Sequence, residues 1–473
     1  MNYYLAIDEG TSSARAIVFS EKGEILGIGR RAFSLYYPQP GWVEQEPEEI
    51  WQAEYEAVHE ALKAAALTPD RIAAVGITNQ RETIVAWDKK TGRPLYRAIV
   101  WQDRRTADRC TTLKPHEPTL RQKTGLVIDP YFSATKIEWL LKEGGVPPEA
   151  AFGTIDSWLL YKMCGMHATD VSNASRTLLY NLHTHTWDDE LLALFGISRA
   201  SLPNIYPSGA FYGETKVWGG AMPVWGVIGD QQAALYGHGC YAPGQAKNTY
   251  GTGCFLLKNV GSTPMPAPEG LLLTVAWQVG QGEVVYAWEG AVFSAAAALQ
   301  WLEKIGLLKD YKELDALEGN GREVFFVPAF TGLGAPYWDP YARGLIIGLT
   351  RDTEVKDLLL AALEAMAYQS AEVLELMGTI TELRVDGGVS VNPYLMQFQA
   401  DIVGVSVVRA AHAEVTAWGA ASLAAHAAGL PASFMSGETR FSPRSHTNYT
   451  LERWKAAVAR AMKWAQRDFP PNA

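Results

Sequence analysis

Two segments far apart in this chain share one short plan, and that plan limits the folds open to it. Residues 3–19, YYLAIDEGTSSARAIVF, read as a buried strand, a turn of acidic, glycine and hydroxyl residues, and an immediate return strand. Residues 245–258, QAKNTYGTGCFLLK, repeat it: a strand to Tyr250, the tight turn Gly251-Thr252-Gly253, and a return from Cys254 to Lys258. Turns of this kind offer converging backbone N–H groups and hydroxyls, which suit anions such as phosphate. A chain that opens each half this way is expected to be α/β, with two phosphate-holding turns that face each other.

The flanking patterns agree. Tyr4–Ile7 and Arg15–Phe19 are the first two strands, and Glu21-Lys22-Gly23 turns the chain into a third, Ile25–Gly29. Trp51, Tyr55, Val58 and Leu62 recur at helical spacing after Pro47, giving a helix over Glu48–Ala66. Strands Ile72–Thr78 and Thr83–Trp87 follow. In the second half, Leu271–Gln278 and Glu283–Trp288 form a hairpin. Leu359, Leu363, Met366, Ser370, Val373 and Met377 line one face of a helix over Glu354–Met377, which Gly378 stops. No stretch rich in Pro, Gly or Ser separates the halves. The boundary falls near Gly239, giving domains 1–239 and 240–473, closely packed.

Composition removes several function classes. The chain has 473 residues, 48% apolar and 19% charged, enough for more than one core. Its net charge of −10, with no basic stripe, argues against nucleic-acid binding. No run of 18 apolar residues suggests a membrane span. No charged leader precedes the first strand, and Cys110, Cys164, Cys240 and Cys254 are too scattered for a disulfide framework or a zinc site. A reducing cytoplasm is the expected compartment.

The residues that carry chemistry lie at strand ends. In VWGVIGDQQAAL (224–235), Asp230 closes an apolar strand and opens a small-residue helix, a good place for a general base. Arg81-Glu82 follows the strand Ile72–Thr78. A charged pair there is either a surface ion pair or part of a site, since burying it is costly unless both partners are used. The chain lacks GxxxxGK[ST], and its GTG is not a dinucleotide fingerprint. Phosphates would therefore sit between the turns Asp8–Ser13 and Gly251–Gly253. Arg15 adds a charged donor, and Asp8, which phosphate would repel, acts through Mg²⁺ or its waters.

GITNQRET (76–83), AIVWQDRRT (98–106), GLVIDPYFSATK (125–136), GDQQAAL (229–235), KNTYGTGCF (247–255), PAFTGLGAPYWDPYARG (328–344), RVDGG (384–388) and LMQFQADI (395–402) resemble the FGGY carbohydrate kinases. The blocks occur in order over nearly the whole chain. The resemblance implies a two-domain α/β actin-like ATPase fold, with ribonuclease H-like halves and a catalytic cleft between them. It implies transfer of a phosphoryl group from ATP, with Mg²⁺, to glycerol, giving sn-glycerol 3-phosphate, with Asp230 as general base. It places Arg81, Glu82, Tyr131, Asp230 and Gln231 on the polyol, with Trp101 and Phe255 as apolar walls. It places Thr11, Ser12, Ser13, Arg15 and Thr252 on the phosphates, Ala296, Gln300 and Gly419 at the nucleotide, and Asp8 at the metal. It also implies a homodimer or homotetramer. Gly387 and Gly388 suit a turn near the nucleotide.

Two positions depart from the family pattern. Glu9 stands where Gln is usual, and a carboxylate near phosphate repels it unless it faces away or touches metal. Ala296 stands where Gly is usual, which would narrow the nucleotide pocket. Some family members bind an inhibitory sugar bisphosphate, or carry a phosphorylated His, in a loop matching Ser208–Val224. Here that loop has Lys216 as its only cation and no His, so neither signal is expected to act through it. Another polyol or ketose kinase of the family, and an inactive actin-like sensor or scaffold, are the alternatives.

Overall fold

In the computed structural model, which describes residues 2–317, 323–433, 437–444 and 451–466, the opening segment forms strands β1 (Tyr3–Glu9) and β2 (Ser13–Ser20), paired antiparallel. Strand β3 (Ile25–Ala32) continues the meander, and helix α1 (Pro47–Ala64) returns across it. Strand β4 (Ile72–Asn79) then joins β1 in parallel. After a long insertion, β5 (Gly209–Thr215) and β6 (Met222–Gly229) complete a sheet of order β5-β6-β4-β1-β2-β3, with β6 parallel to β4. Helix α2 (Asp230–Gly237) leaves directly from the end of β6.

The second half builds its own sheet. Its strands are β7 (Ala246–Tyr250), β8 (Cys254–Gly261), β9 (Leu272–Trp277), β10 (Val285–Val292), β11 (Leu383–Asp386), β12 (Val407–Arg409) and β13 (Thr439–Phe441). Their order is β9-β10-β8-β7-β11-β12-β13. In both sheets antiparallel strands on one side of the opening strand meet parallel strands on the other. The two strand–turn–strand segments thus head similar sheets, which differ in that β8 pairs with β10 and leaves β9 at the edge. Helix α3 (Ala296–Lys304) follows β10, and α4 (Val355–Met377) is the long helix read from the sequence. Glu354 lies just outside α4 as its cap, in a reciprocal capping box with Asp357.

Successive residues of a strand point to opposite faces, and this is how the halves lock together. Leu5, Ile7, Ala16 and Val18 face α1, packing on Ile50, Ala57, Val58 and Ala61. Their neighbours Tyr4, Ala6, Ile17 and Phe19 face the other way, onto Ala417, Trp418, Ala421 and Ala424 of α5 (Val415–Ala427). Helix α5 belongs to the second half of the sequence but covers the first sheet. Conversely, Leu272, Leu273, Val275 and Tyr286 of β9 and β10 complete the core of the 84–202 insertion. The core is shared across the junction, so no flexible linker is needed there. Among the described residues, no helix is long and apolar enough to cross a membrane.

Candidate active site

The parallel strands β1, β4 and β6 deliver their C-terminal ends to one edge, where α/β sheets present ligand sites. Gly229 at the end of β6 pairs with Asn79 at the end of β4, which in turn pairs with Glu9 of β1. Asp8, Arg81, Glu82 and Asp230 therefore arrive together. Glu82 has a left-handed backbone, φ +63°, unusual for a residue with a side chain. Ser133 Oγ donates to its carbonyl at 2.9 Å and fixes that conformation. Strain of this kind, about 1–3 kcal/mol, persists where surrounding structure imposes it, commonly at functional sites.

A cavity of about 140 Å³ opens at this edge, lined by Thr11, Gln80, Arg81, Glu82, Trp101, Tyr131, Asp230, Gln231, Thr252, Gly253 and Phe255. All seven residues expected on the polyol line it, with one threonine from each phosphate turn. The cavity is well below the roughly 300–1,000 Å³ of typical drug-sized pockets, which favours a small substrate.

The charged groups form a closed network. Arg81 donates through both terminal nitrogens to Glu289, at 2.6 and 2.9 Å, and also to Gln232 Oε1 at 3.2 Å and the Tyr131 hydroxyl at 3.3 Å. Its Nε lies 3.2 Å from Asp230 Oδ1. Arg176 donates to Glu82 at 2.7 Å and to Glu289 at 2.9 Å. Arg81, Glu82, Arg176 and Glu289 are each 2% exposed or less. Two cations and two anions so placed offset one another, the condition for burying charge, although Arg176 Nη1 has no hydrogen-bond partner. The guanidiniums hold the Glu289 carboxyl below its ordinary range despite burial. Burial pushes Glu82 up, with Arg81 and Arg176 opposing. The Arg81 guanidinium is thus engaged on every nitrogen, a more structural position than a free substrate donor.

Asp230 accepts from the Gln231 backbone N–H at 2.7 Å and from Gln231 Nε2 at 3.2 Å. Burial raises its pKa, and Arg81 and then Lys247 pull it back. Because 30% of its side-chain surface remains open to the cleft, the burial effect is softened. An ionised, partly open carboxylate at the start of a helix can accept a proton from a hydroxyl.

The walls are aromatic and pinned. Trp101 meets Tyr131 and Phe255 edge to face, with centroids 5.7 and 6.3 Å apart. Trp101 Nε1 donates to Thr11 Oγ1 at 3.0 Å, joining the substrate wall to the first phosphate turn. Buried Lys136 donates to the carbonyls of Pro130, Tyr131 and Phe132, which fixes the loop bearing Tyr131.

The first turn is Gly10-Thr11-Ser12, shorter than expected, because Asp8 and Glu9 still belong to β1. Gln45 Nε2 donates to the Thr11 carbonyl at 2.6 Å. Ser12 is exposed and Ser13 buried. Arg15 is already paired, with Asp8 Oδ2 at 2.5 Å and Glu414 at 3.0 Å. At the second turn, the N–H groups of Ala295 and Ala296 donate to the carbonyls of Thr252 and Gly251, at 2.8 and 3.2 Å. The N-terminus of α3 is thereby set against the turn, with its first N–H groups engaged by the turn's carbonyls. Ala296 lies in that first helical turn, and Gln300 is exposed one turn on. Gly387 is left-handed and touches the Tyr250 backbone, where a Cβ would meet its carbonyl at 2.4 Å.

Packing sets the place of Glu9 and Gly419. Glu9 does not face the phosphate turn. It is fully buried, accepts from Gln80 Nε2 at 3.1 Å, and its other oxygen has no partner. Burial and the nearby Glu54 push its pKa well above the ordinary range, which favours the neutral acid, close in shape to the glutamine usual there. Gly419 has a packing reason to be glycine. A Cβ there would lie 1.8 Å from the Ala233 carbonyl, because α5 crosses α2 at that point.

Asp8 is 3% exposed, and burial raises its pKa while Arg15 opposes. Mg²⁺ takes one or two protein carboxylates and completes its shell with water and phosphate oxygens. One carboxylate at the first turn fits that chemistry in kind. Among the described residues no group of three or more His, Cys, Asp and Glu forms an all-protein cage.

The sequence alone does not point to Arg176, Glu289, Gln80 or Lys247. The available signal is a charge inside an apolar strand, which Glu289 in VYAWEGAV carries and Lys247 in the polar AKNTY does not.

Residues 3–237 match the N-terminal domain of the FGGY family of carbohydrate kinases, and residues 246–428 match its C-terminal domain. Glycerol kinase 2 of Thermotoga maritima is 48% identical, over 99% of this chain and all of the relative. A glycerol kinase of Alkalilimnicola ehrlichii is 49% identical over the same shares. Among solved structures, the ADP complex of Plasmodium falciparum glycerol kinase superposes with a TM-score of 0.87 at 33% identity, covering 98% of both chains. A ligand-bound xylulose kinase of Lactobacillus acidophilus, at 20% identity and a TM-score of 0.84 over 94% of both chains, shares the fold.

Proposed function

Since this chain belongs to the FGGY family of carbohydrate kinases, we propose that it transfers the γ-phosphoryl group of ATP to a hydroxyl of glycerol, giving glycerol 3-phosphate. The observation that carries this is the small cleft itself. Asp230, Glu82, Gln231 and Tyr131 converge on a space walled by Trp101 and Phe255 and capped by Thr11 and Thr252. A triol presents several hydroxyls and one apolar C–H edge, and this lining answers both. Buried polar groups left unpaired by a wrong ligand are what make such a site selective.

Asp230 is the base. As the substrate oxygen moves in line towards the phosphoryl group, its proton passes to the carboxylate. In a loose transition state part of that role is orientation. Arg81, saturated by Glu289, Gln232, Tyr131 and Asp230, holds the base in place more than it grips the substrate. Thr11, Ser12 and Ser13 on one side, and Thr252 on the other, are the groups for the phosphates; Arg15 would help only by leaving Asp8 or Glu414. Ala296 and Gln300 would flank the nucleotide. Bound Mg²⁺ supplies charge neutralisation of the phosphates, and Asp8 would hold it, directly or through water.

The domain boundary near Gly239, a cytoplasmic location and a homodimer or homotetramer complete the reading. All four cysteines are free, in keeping with a reducing compartment. Lys216 lies 3.3 Å from Glu214, and Asp70 takes the Ala221 N–H, so the 208–224 loop offers an anionic effector little. A coupled ADP-release assay with glycerol, xylulose and ribulose tests the central claim. Turnover on glycerol well above both ketoses is expected. A ketose as the best substrate, or no turnover on any, overturns it.

A further inference from the structure

Lys247 on β7 is fully buried, and its ammonium has three acceptors: Gln231 Oε1 at 2.5 Å, Thr249 Oγ1 at 2.9 Å and the Phe255 carbonyl at 3.1 Å. An ammonium has three donors and accepts nothing, so the set is complete and none is left for a ligand. The consequence is felt at Gln231. An amide whose oxygen is tied to an ammonium has its orientation fixed, so its nitrogen must point the other way. It points at the base: Gln231 Nε2 lies 3.2 Å from Asp230 Oδ2. A flipped amide would set its oxygen against the carboxylate.

We propose that Lys247 is a positioning residue for phosphoryl transfer: from the second sheet it locks the Gln231 amide, which in turn orients the Asp230 carboxylate on the first. The same ammonium holds the carbonyl of Phe255, a wall of the cleft. It is anchored in turn, since Thr249 donates to Asp386 Oδ1 at 2.6 Å. The charged groups facing it are Asp386, Asp230 and Glu289, which favour the ammonium, and Arg81, which opposes it. Burial pulls the Lys247 pKa down to about 8, which leaves it mostly charged at neutral pH. Asp230 in turn faces Arg81 and Lys247, with the Glu9 carboxyl beyond.

This inference rests on Asp230 being the base, and the test separates the two claims. Steady-state kinetics against pH are measured for the full-length wild type and for Asp230→Asn, Lys247→Met, Gln231→Leu and the Lys247→Met/Gln231→Leu double variant. Thermal melting and ADP binding check the fold. Lys247→Met is expected to lose kcat by up to about 10²-fold, the size of loss a small misplacement causes. Its KM for ATP should stay within a few-fold. The acid limb of kcat/KM for glycerol should move to higher pH, because Asp230 loses a cation and an oriented donor. Gln231→Leu, which removes the donor but keeps the cation, should shift the acid limb in the same direction by less, and the double variant should lose no more than the worse single one. Losses that multiply in the double variant, or a folded Lys247→Met with wild-type kcat and acid limb, overturn the proposal. Should Lys247→Met not fold, Gln231→Leu decides alone, and an unshifted acid limb overturns it. An active Asp230→Asn overturns the assignment of the base and this proposal with it. An inactive Asp230→Asn beside an unaffected Lys247→Met overturns this proposal only.

Discussion

Trp101 Nε1 donates to Thr11 Oγ1 at 3.0 Å, across 90 residues of sequence. The ring that walls the substrate cleft is thereby fastened to the turn that would receive phosphate. Trp101→Phe keeps the wall and removes the donor. A neutral hydrogen bond is worth about 0.5–1.5 kcal/mol. The expected outcome is a roughly two- to tenfold rise in KM for both ATP and glycerol, with melting temperature little changed. A change confined to glycerol would show that the indole N–H does not bear on the nucleotide.

Asp230→Asn should fold normally and lower turnover by roughly 10²–10⁴-fold, the range for a general base. In the wild type the base must be ionised, so kcat/KM should fall as pH drops through the Asp230 pKa. Burial places that limb above the usual aspartate range. Initial rates between pH 4 and 8 check both points. Activity within a few-fold of wild type removes Asp230 from the mechanism.

Arg81→Ala should be a folding defect before it is a binding defect. Removing one partner from a buried, hydrogen-bonded ion pair costs about 3–5 kcal/mol, because the other charge stays behind. Here Glu289 would keep only Arg176, and Asp230 would lose the cation 3.2 Å away. Urea unfolding should show the loss directly. An unchanged midpoint with weaker glycerol binding would assign Arg81 to the substrate instead.

Glu9→Gln should stabilise the protein at neutral pH. The folded Glu9 carboxyl titrates well above its unfolded value, about 4.3. Between those two pH values the folded state holds a proton that the unfolded state has released, so stability falls as pH rises through the window. Glu54, buried with both oxygens unpartnered, acts in the same direction. Denaturant midpoints at pH 5 and pH 8 should differ less in Glu9→Gln than in the wild type. Equal pH dependence in the two would show that Glu9 is not a buried neutral acid.

Gly419→Ala should destabilise the crossing of α2 and α5, since its Cβ would overlap the Ala233 carbonyl. Overpacking of this kind costs typically about 1–3 kcal/mol. Because Asp230 opens α2, turnover should fall along with melting temperature. Wild-type stability would show that the helices can separate freely.

The strand–turn–strand segments, the helix periods and the position of Asp230 at a strand end were legible in the sequence because each is local. A buried strand shows as an apolar run, an amphipathic helix as a 3.6-residue period, and a tight turn as Gly beside Thr or Ser. Asp230, Arg81, Glu82, Trp101, Tyr131, Gln231 and Phe255 could be named in advance because recognisable blocks carry them. What only the tertiary structure decided is where each charge ends. Glu289 meets Arg81 across 208 residues, Arg176 meets Glu82 across 94, and α5 from the second half covers the first sheet. No local pattern encodes such pairings. A charged side chain reads the same in sequence whether it is solvated, buried against an opposite charge, or buried beside another acid like Glu9. The difference lies in desolvation and in partners brought close only by folding, and that is why the chain names its proposed base but not the buried charges that hold it in place.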